Sequence, residues 1–271
     1  MSITQMIALT GVLASGVLVA EDGIYNFTAI AEDGSGEAGG GSGGFPDPRP
    51  AATSLTSNNI AQPGTLTSMD GTGKDRYIVL IAGSQNNLND DTPNPYAELG
   101  GTSMTRAAVD YGTATYYNTV DLHYVKYNDA GTPTLEWRKT NGGSCNLFAL
   151  ATAVFSFEVP AGSTFTVKTA VGQAVQGSSE TYTLDTSGQP RMVFAALHKG
   201  NNGTTQTITE DGVSIIEFSG DAGTDELYAF GAEDEDNITA STIAYSHQSA
   251  VGADNTRHAE IVVEFVQQTP T

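Results

Sequence analysis

From residue 74 to the end the chain repeats one event. A short run of β-branched and aromatic residues ends in a Gly-, Asn- or Asp-rich turn, and another run begins. The runs lie at 76–82, 102–109, 119–127, 134–138, 147–158, 164–169, 180–184, 192–197, 206–210, 213–218, 226–230, 241–247 and 258–266. Between them stand turn formers such as Asp129-Ala130-Gly131, Asn141-Gly142-Gly143, Pro160-Ala161-Gly162, Ser187-Gly188, Asn201-Asn202-Gly203 and Asp211-Gly212. Many short strands at this spacing predict an all-β fold, an antiparallel β-sandwich or jelly roll. No stretch longer than about ten residues carries apolar positions at helical spacing. The one candidate helical turn, 149–153, runs into Val154, Phe155 and Phe157, which favour a strand. In the last run, Ala259, Ile261, Val263 and Phe265 share one face, and Glu260, Val262 and Glu264 share the other. That alternation predicts one core face and one largely wet face.

Two other regions precede this body. Residues 1–33 read as an N-terminal β arm, with a hairpin signal at Asp22-Gly23 before Ile24, Tyr25 and Phe27. Residues 34–73 read as a Gly/Pro-rich linker, first the Gly-rich tract and then Phe45-Pro46-Asp47-Pro48-Arg49-Pro50. The expected organisation is therefore an arm at 1–33, a linker at 34–73 and a sandwich body at 74–271. Residues 6–20 resemble the apolar part of a leader, but the first basic residue of the chain is Arg49. A secretory signal needs a positive segment ahead of its apolar one. The stretch is also too short to span a bilayer. It is read here as part of the β arm, with a cleaved leader as the alternative.

Charge narrows the partners. Thirty-one acidic and 11 basic residues leave a formal charge of −20. Such a surface repels nucleic acid and anionic membranes, so neither is an expected partner. One cysteine, Cys145, permits no disulfide within the chain and no cysteine-rich zinc site. Low total charge with abundant Thr, Ser, Asn and Gly suits an extracellular or virion β-protein.

Few residues are candidates for chemistry. No nucleophile elbow, phosphate loop, dinucleotide fingerprint or zincin helix is present, and the chain is read as a non-enzyme. His123, His198, His247 and His258 are scattered over separate runs with no ligand spacing. Asp90, Asp91, Asp234 and Asp236 concentrate carboxylates where a calcium ion could sit. They lack the spacing of the twelve-residue calcium loop, and acidic runs more often simply face water. No other cofactor is expected. Tyr111, Tyr117 and Trp137 fall in an aromatic-rich third of the body. Exposed rings of this kind stack on sugars, whereas strand aromatics are more often core. The tandem Tyr116-Tyr117 would send its rings to opposite faces of a strand.

Several motifs carry a resemblance. They are Asp75-Arg76-Tyr77-Ile78-Val79-Leu80-Ile81, then Gly100-Gly101-Thr102-Ser103-Met104-Thr105-Arg106, Leu122-His123-Tyr124-Val125 and Gly131-Thr132-Pro133-Thr134-Leu135-Glu136-Trp137. Their order over about residues 74–158 resembles a β-sandwich found in phage virion structural proteins and in some secreted bacterial proteins. The arm running into a Gly-rich tract resembles phage fibre and adhesin segments. The resemblance carries no catalytic residue. It implies a structural component of a virion, such as a capsid decoration, head fibre, tail or baseplate protein. Such a component partners other virion proteins and forms a homo-oligomer, a trimer by analogy with virion projections. On that reading Ile3, Met6, Ile7, Leu9, Val17, Val19, Ile24 and Phe27 form the assembly interface. The alternative is an extracellular carbohydrate-binding or adhesin module that meets a host-surface glycan through Tyr111, Tyr117 and Trp137.

Overall fold

The computed structural model describes residues 25–37, 63–69, 73–87, 94–113, 116–139, 147–171, 180–184, 189–200, 205–221, 226–235, 242–248 and 258–268. Among these residues every regular element is a strand. In the N-terminal half they are β1 (Tyr25–Glu37), β2 (Lys74–Asn87), β3 (Tyr96–Leu99), β4 (Thr102–Ser103), β5 (Thr105–Thr113), β6 (Tyr116–Lys126), β7 (Leu135–Arg138) and β8 (Leu147–Pro160). The C-terminal half holds β9 (Phe165–Val171), β10 (Glu180–Thr183), β11 (Arg191–Gly200), β12 (Thr205–Glu210) and β13 (Val213–Ser214). It ends with β14 (Ile216–Asp221), β15 (Glu226–Glu235), β16 (Thr242–Gln248) and β17 (His258–Gln267).

The strands form four antiparallel sheets. Each half has one five-stranded sheet, β1-β8-β2-β6-β5 or β14-β15-β11-β17-β9. Each also has a smaller one, β4-β3-β7 or β10-β16-β12-β13. The chain alternates between the large and small sheet of its half, the crossing pattern of a jelly roll. Three buried clusters show how the layers stack. Val79, Ile81, Phe155 and Phe157 of the N-terminal large sheet meet Phe194, Phe230, Val263 and Phe265 of the C-terminal one. On its other face the N-terminal large sheet packs Ile78, Leu80 and Val154 against Leu99, Leu135 and Trp137. The C-terminal large sheet packs Val193, Ala195 and Leu197 against Ile208 and Leu184. The order of layers is small, large, large, small.

This stacking explains the apolar runs. A strand covered on both faces reads as a near-continuous hydrophobic stretch. Residues 78–82, 192–197 and 261–263 are all at most 2% exposed. It also corrects the expectation for β17. The face carrying Glu260, Val262 and Glu264 is not wet: these residues are 0%, 2% and 6% exposed, because the C-terminal small sheet lies over them.

The organisation at the N-terminal end differs from the expected one as well. β1 runs across the 33/34 boundary and pairs with β8, from Tyr25↔Glu158 to Glu37↔Ala149. Residues 25–33 therefore belong to the body's sheet as an edge strand, held by a backbone ladder. Within the expected linker, Leu66 bridges Gly131, and Leu66 and Met69 are buried. β3 is a strand that periodicity missed.

Residues 161–164 join the halves and are pinned to both. Ala161 N donates to Gly73 O, and Gln268 N donates to Thr164 O. Asp75 accepts from Gly162 N at 2.9 Å and from Asn128 Nδ2 at 2.8 Å, and lies 2.7 Å from Lys126 Nζ. Burial pushes the Asp75 carboxyl up. Lys126, the Gly162 amide and Asn128 outweigh it and hold the pKa below the ordinary aspartate value. The stability this supplies is present above the unfolded pKa, about 3.9, and is lost as pH falls through the lower folded value. Asp75→Asn is expected to cost about 1–3 kcal/mol at pH 7. Urea melts of both proteins should converge as the pH falls through the lowered folded pKa of Asp75.

Candidate functional site

Among the described residues, two places combine polar groups with a shaped environment. The first lies between the large and small sheets of the N-terminal half. Alternation along β6 sends Val120 and Leu122 toward the opposite half, so Asp121 and His123 point toward the small sheet. Trp137 Nε1 on β7 donates to Asp121 Oδ2 at 2.8 Å, and His123 Nε2 lies 3.0 Å from the same oxygen. Beyond them, Lys139 Nζ donates to Ser84 Oγ at 2.5 Å. Asp121, His123, Trp137 and Lys139 are 0%, 1%, 1% and 3% exposed. A group with this little access orients its neighbours and specifies one packing arrangement. It is closed to a ligand as it stands.

The second place is open. A cleft of about 460 Å³ lies at the β9–β10 side of the C-terminal half, lined by Lys168, Thr169, Tyr182, Thr183, Val262 and Glu264 among others. It offers an ammonium, hydroxyls, a phenol and a carboxylate over an apolar floor. Burial pushes the Glu264 carboxyl up, Arg191 and Lys168 draw it back, and Glu210 pushes it up again. Arg191 Nη1 stands 3.7 Å from Glu264 Oε2. Such a mixture of one cation, one carboxylate, hydroxyls and apolar surface can hydrogen-bond and pack against a polar neutral ligand.

The residues singled out from sequence fall as follows. Ile3, Met6, Ile7, Leu9, Val17, Val19 and Ile24 lie outside the described residues. Phe27 is placed in β1 by its backbone alone. Trp137 is corrected: its ring is buried and its N–H is used on Asp121, so it presents no face to a sugar. Tyr111 on β5 is half-buried, and burial raises its phenol pKa against the pull of Arg106. Tyr117 lies in β6, with its side chain outside the described residues. The glycan trio thus does not form one exposed patch: Tyr111 and Trp137 flank Asp121 instead. Asp90, Asp91 and Asp236 are outside the described residues, and Asp234 is placed by its backbone in β15. Among the described residues no three His, Cys, Asp or Glu side chains converge as metal ligands. His123 and His198 are buried in different interlayers, and His247 and His258 are placed by backbone in β16 and β17.

Sequence reading missed Asp121, Lys139 and Ser84. The available signal was a carboxylate inside the apolar run 119–127, which implies either a wet face or a bonded buried acid. No family model, no curated protein and no solved structure matches the chain.

Proposed function

We propose that this protein is a structural component of a phage virion that works by subunit assembly. It would serve as a capsid decoration, head fibre, tail or baseplate protein, meeting other virion proteins and copies of itself. The observation that carries the reading is the position of β1. It is the outermost strand of the N-terminal large sheet, and the sequence preceding it is apolar over residues 6–20. An apolar segment next to a sheet edge is suited to strand addition on a neighbouring subunit. The four packed layers and the charge of −20 suit a rigid, soluble projecting body. Jelly rolls serve both in capsids and in lectins, so topology alone does not choose between them.

The test is removal of residues 1–24, which spares β1. The full chain is expected to run as an oligomer in mass photometry, with a trimer as the leading state. The truncated chain should run as a folded monomer with an unchanged melting temperature. A full chain that is monomeric at every concentration would sink the assembly reading. The cleft beside Tyr182 supports a second reading, an extracellular carbohydrate-binding module. Glycan-array binding that disappears with Tyr182→Ala would promote it.

A further inference from the structure

The two halves follow one path. In the N-terminal half the chain visits a large-sheet edge (β1), the sheet centre (β2), a small-sheet hairpin (β3–β4), the far edge (β5), then β6, the small sheet (β7) and β8. The C-terminal half makes these visits in the same order through β9, β11, β12–β13, β14, β15, β16 and β17, with one added stop in the small sheet, β10, that has no counterpart among the described strands of the first half. Read from the β9 edge, its large sheet runs β9-β17-β11-β15-β14, strand for strand the counterpart of β1-β8-β2-β6-β5. Three strands of the small sheets correspond as well, β7-β3-β4 and β16-β12-β13, with β10 added beside β16.

Correspondence extends to single residues. Arg76 and Arg191 occupy matching places on the central strands. From there Ile78, Leu80 and Ala82 match Val193, Ala195 and Leu197 as the faces toward the small sheets. Val79 and Ile81 match Phe194 and Ala196 as the faces between the halves. The β3–β4 and β12–β13 hairpins turn on Gly100-Gly101 and Asp211-Gly212, all four with left-handed φ of 56°, 77°, 46° and 85°. After each turn the same backbone bond forms, Met104 N to Ala97 O and Ile215 N to Ile208 O. β5 bulges between Arg106↔His123 and Ala108↔Leu122, and β14 bulges between Ile216↔Gly231 and Phe218↔Phe230. His123 and Gly231 are themselves matched, through partners Leu80 and Ala195. A jelly-roll topology does not dictate where a bulge falls. A shared bulge, turn and core pattern point to one repeated unit.

The halves also meet as a two-fold pair would. Across the interface β2 faces β11, β6 faces β17, β8 faces β15, β5 faces β9 and β1 faces β14. Exchanging every strand for its counterpart returns the same five pairs, while β5 also meets β17 and β6 also meets β11 with no such counterpart, so the two-fold is approximate. At a two-fold axis a residue meets its own equivalent. Phe157 and Phe265 are equivalents, paired with Tyr77 and Met192 respectively, and their ring centroids are 5.6 Å apart. Gly83 and His198 are equivalents too. A Cβ on Gly83 would lie 2.9 Å from His198 Cδ2. Two large side chains cannot share that point, and one glycine with one histidine resolves it.

We infer that the chain is a tandem duplication of one jelly roll, and that the face between its halves is an isologous association surface for a second copy of that unit. The surface holds its two partners together without the covalent link at 161–164. It has the make-up of an obligate dimer interface, a core cut in half, with Phe194 in ring contact with Phe155, Phe157 and Phe265, and Phe157 with Phe265.

The test uses the full chain with a protease site inserted between the exposed Gly162 and the half-buried Ser163, cleaved after folding. The two fragments are expected to remain one particle of the intact chain's mass in native mass spectrometry, and to part only in denaturant. Fragments that separate without denaturant overturn the inference. Gly83→His should place two imidazoles on the axis and weaken fragment association by roughly ten-fold or more. The exchange G83H/H198G should restore it, because it moves the same pair across the axis. In the uncut chain the same variants should lower and then restore the melting temperature. A double variant as weak as G83H, or a G83H variant as tight as the parent, overturns the two-fold equivalence.

Discussion

Replacing Trp137 by alanine is expected to destabilise the protein by about 3–5 kcal/mol. Two separable losses contribute. One is the volume of the largest fully buried side chain, packed against Ile78, Leu80 and Leu99. The other is the N–H that Asp121 accepts at 2.8 Å in a place with no access to water. Trp137→Phe keeps most of the volume and removes only the donor, and should cost about 1–3 kcal/mol. Urea denaturation of the two variants separates the terms. If the phenylalanine variant is as stable as the parent, the indole–carboxylate bond contributes nothing net. If it is as damaged as the alanine variant, the bond outweighs the packing. Both variants should leave glycan binding, if any is found, untouched, since this ring is closed off.

The second large effect is expected at the contact between the halves. Phe157→Ala and Phe265→Ala should each cost about 3–5 kcal/mol. The two rings touch each other and share Phe165 and Phe194 as neighbours. Their effects should therefore fall short of additive, with a coupling of about 0.5–3 kcal/mol in a double-mutant cycle. Additive losses would mean that each ring packs against its own half and the interface does not link them. Guanidine melts of the four proteins provide the measurement.

Much of the fold was legible because strands announce themselves by composition and by the turns between them. The predicted runs at 76–82, 192–197 and 258–266 became β2, β11 and β17. Exposure was not legible. The alternation in β17 correctly sorted Glu260 and Glu264 from Ile261 and Val263, but period-two patterning says which residues share a face and not what covers it. Tyr96–Leu99 was missed because four residues are too few to show a period, and the preceding Pro93 and Pro95 read as loop. The duplication was hidden for a related reason. β2 and β11 share an arginine and a pattern of buried positions, while nearly every buried side chain between them differs in size. Sheet register exposes the match that residue identity conceals. The polar group around Asp121 could not be assembled from sequence, since its members come from β2, β6 and the end of β7 and meet only once the small sheet folds over the large one.

The face between the halves has a consequence in time as well as in space. Synthesis completes β8 while the strands from β9 onward are still to be made. At roughly 5–20 residues per second, those last hundred or so residues take on the order of 5–20 s to emerge. During that interval Val79, Ile81, Val120, Leu122, Phe155 and Phe157 have no partner sheet. A ribosome-bound half with this much uncovered apolar surface is open to capture by chaperones or by the same half on a neighbouring ribosome. The yield of correctly closed chains should therefore depend on translation speed and on polysome density.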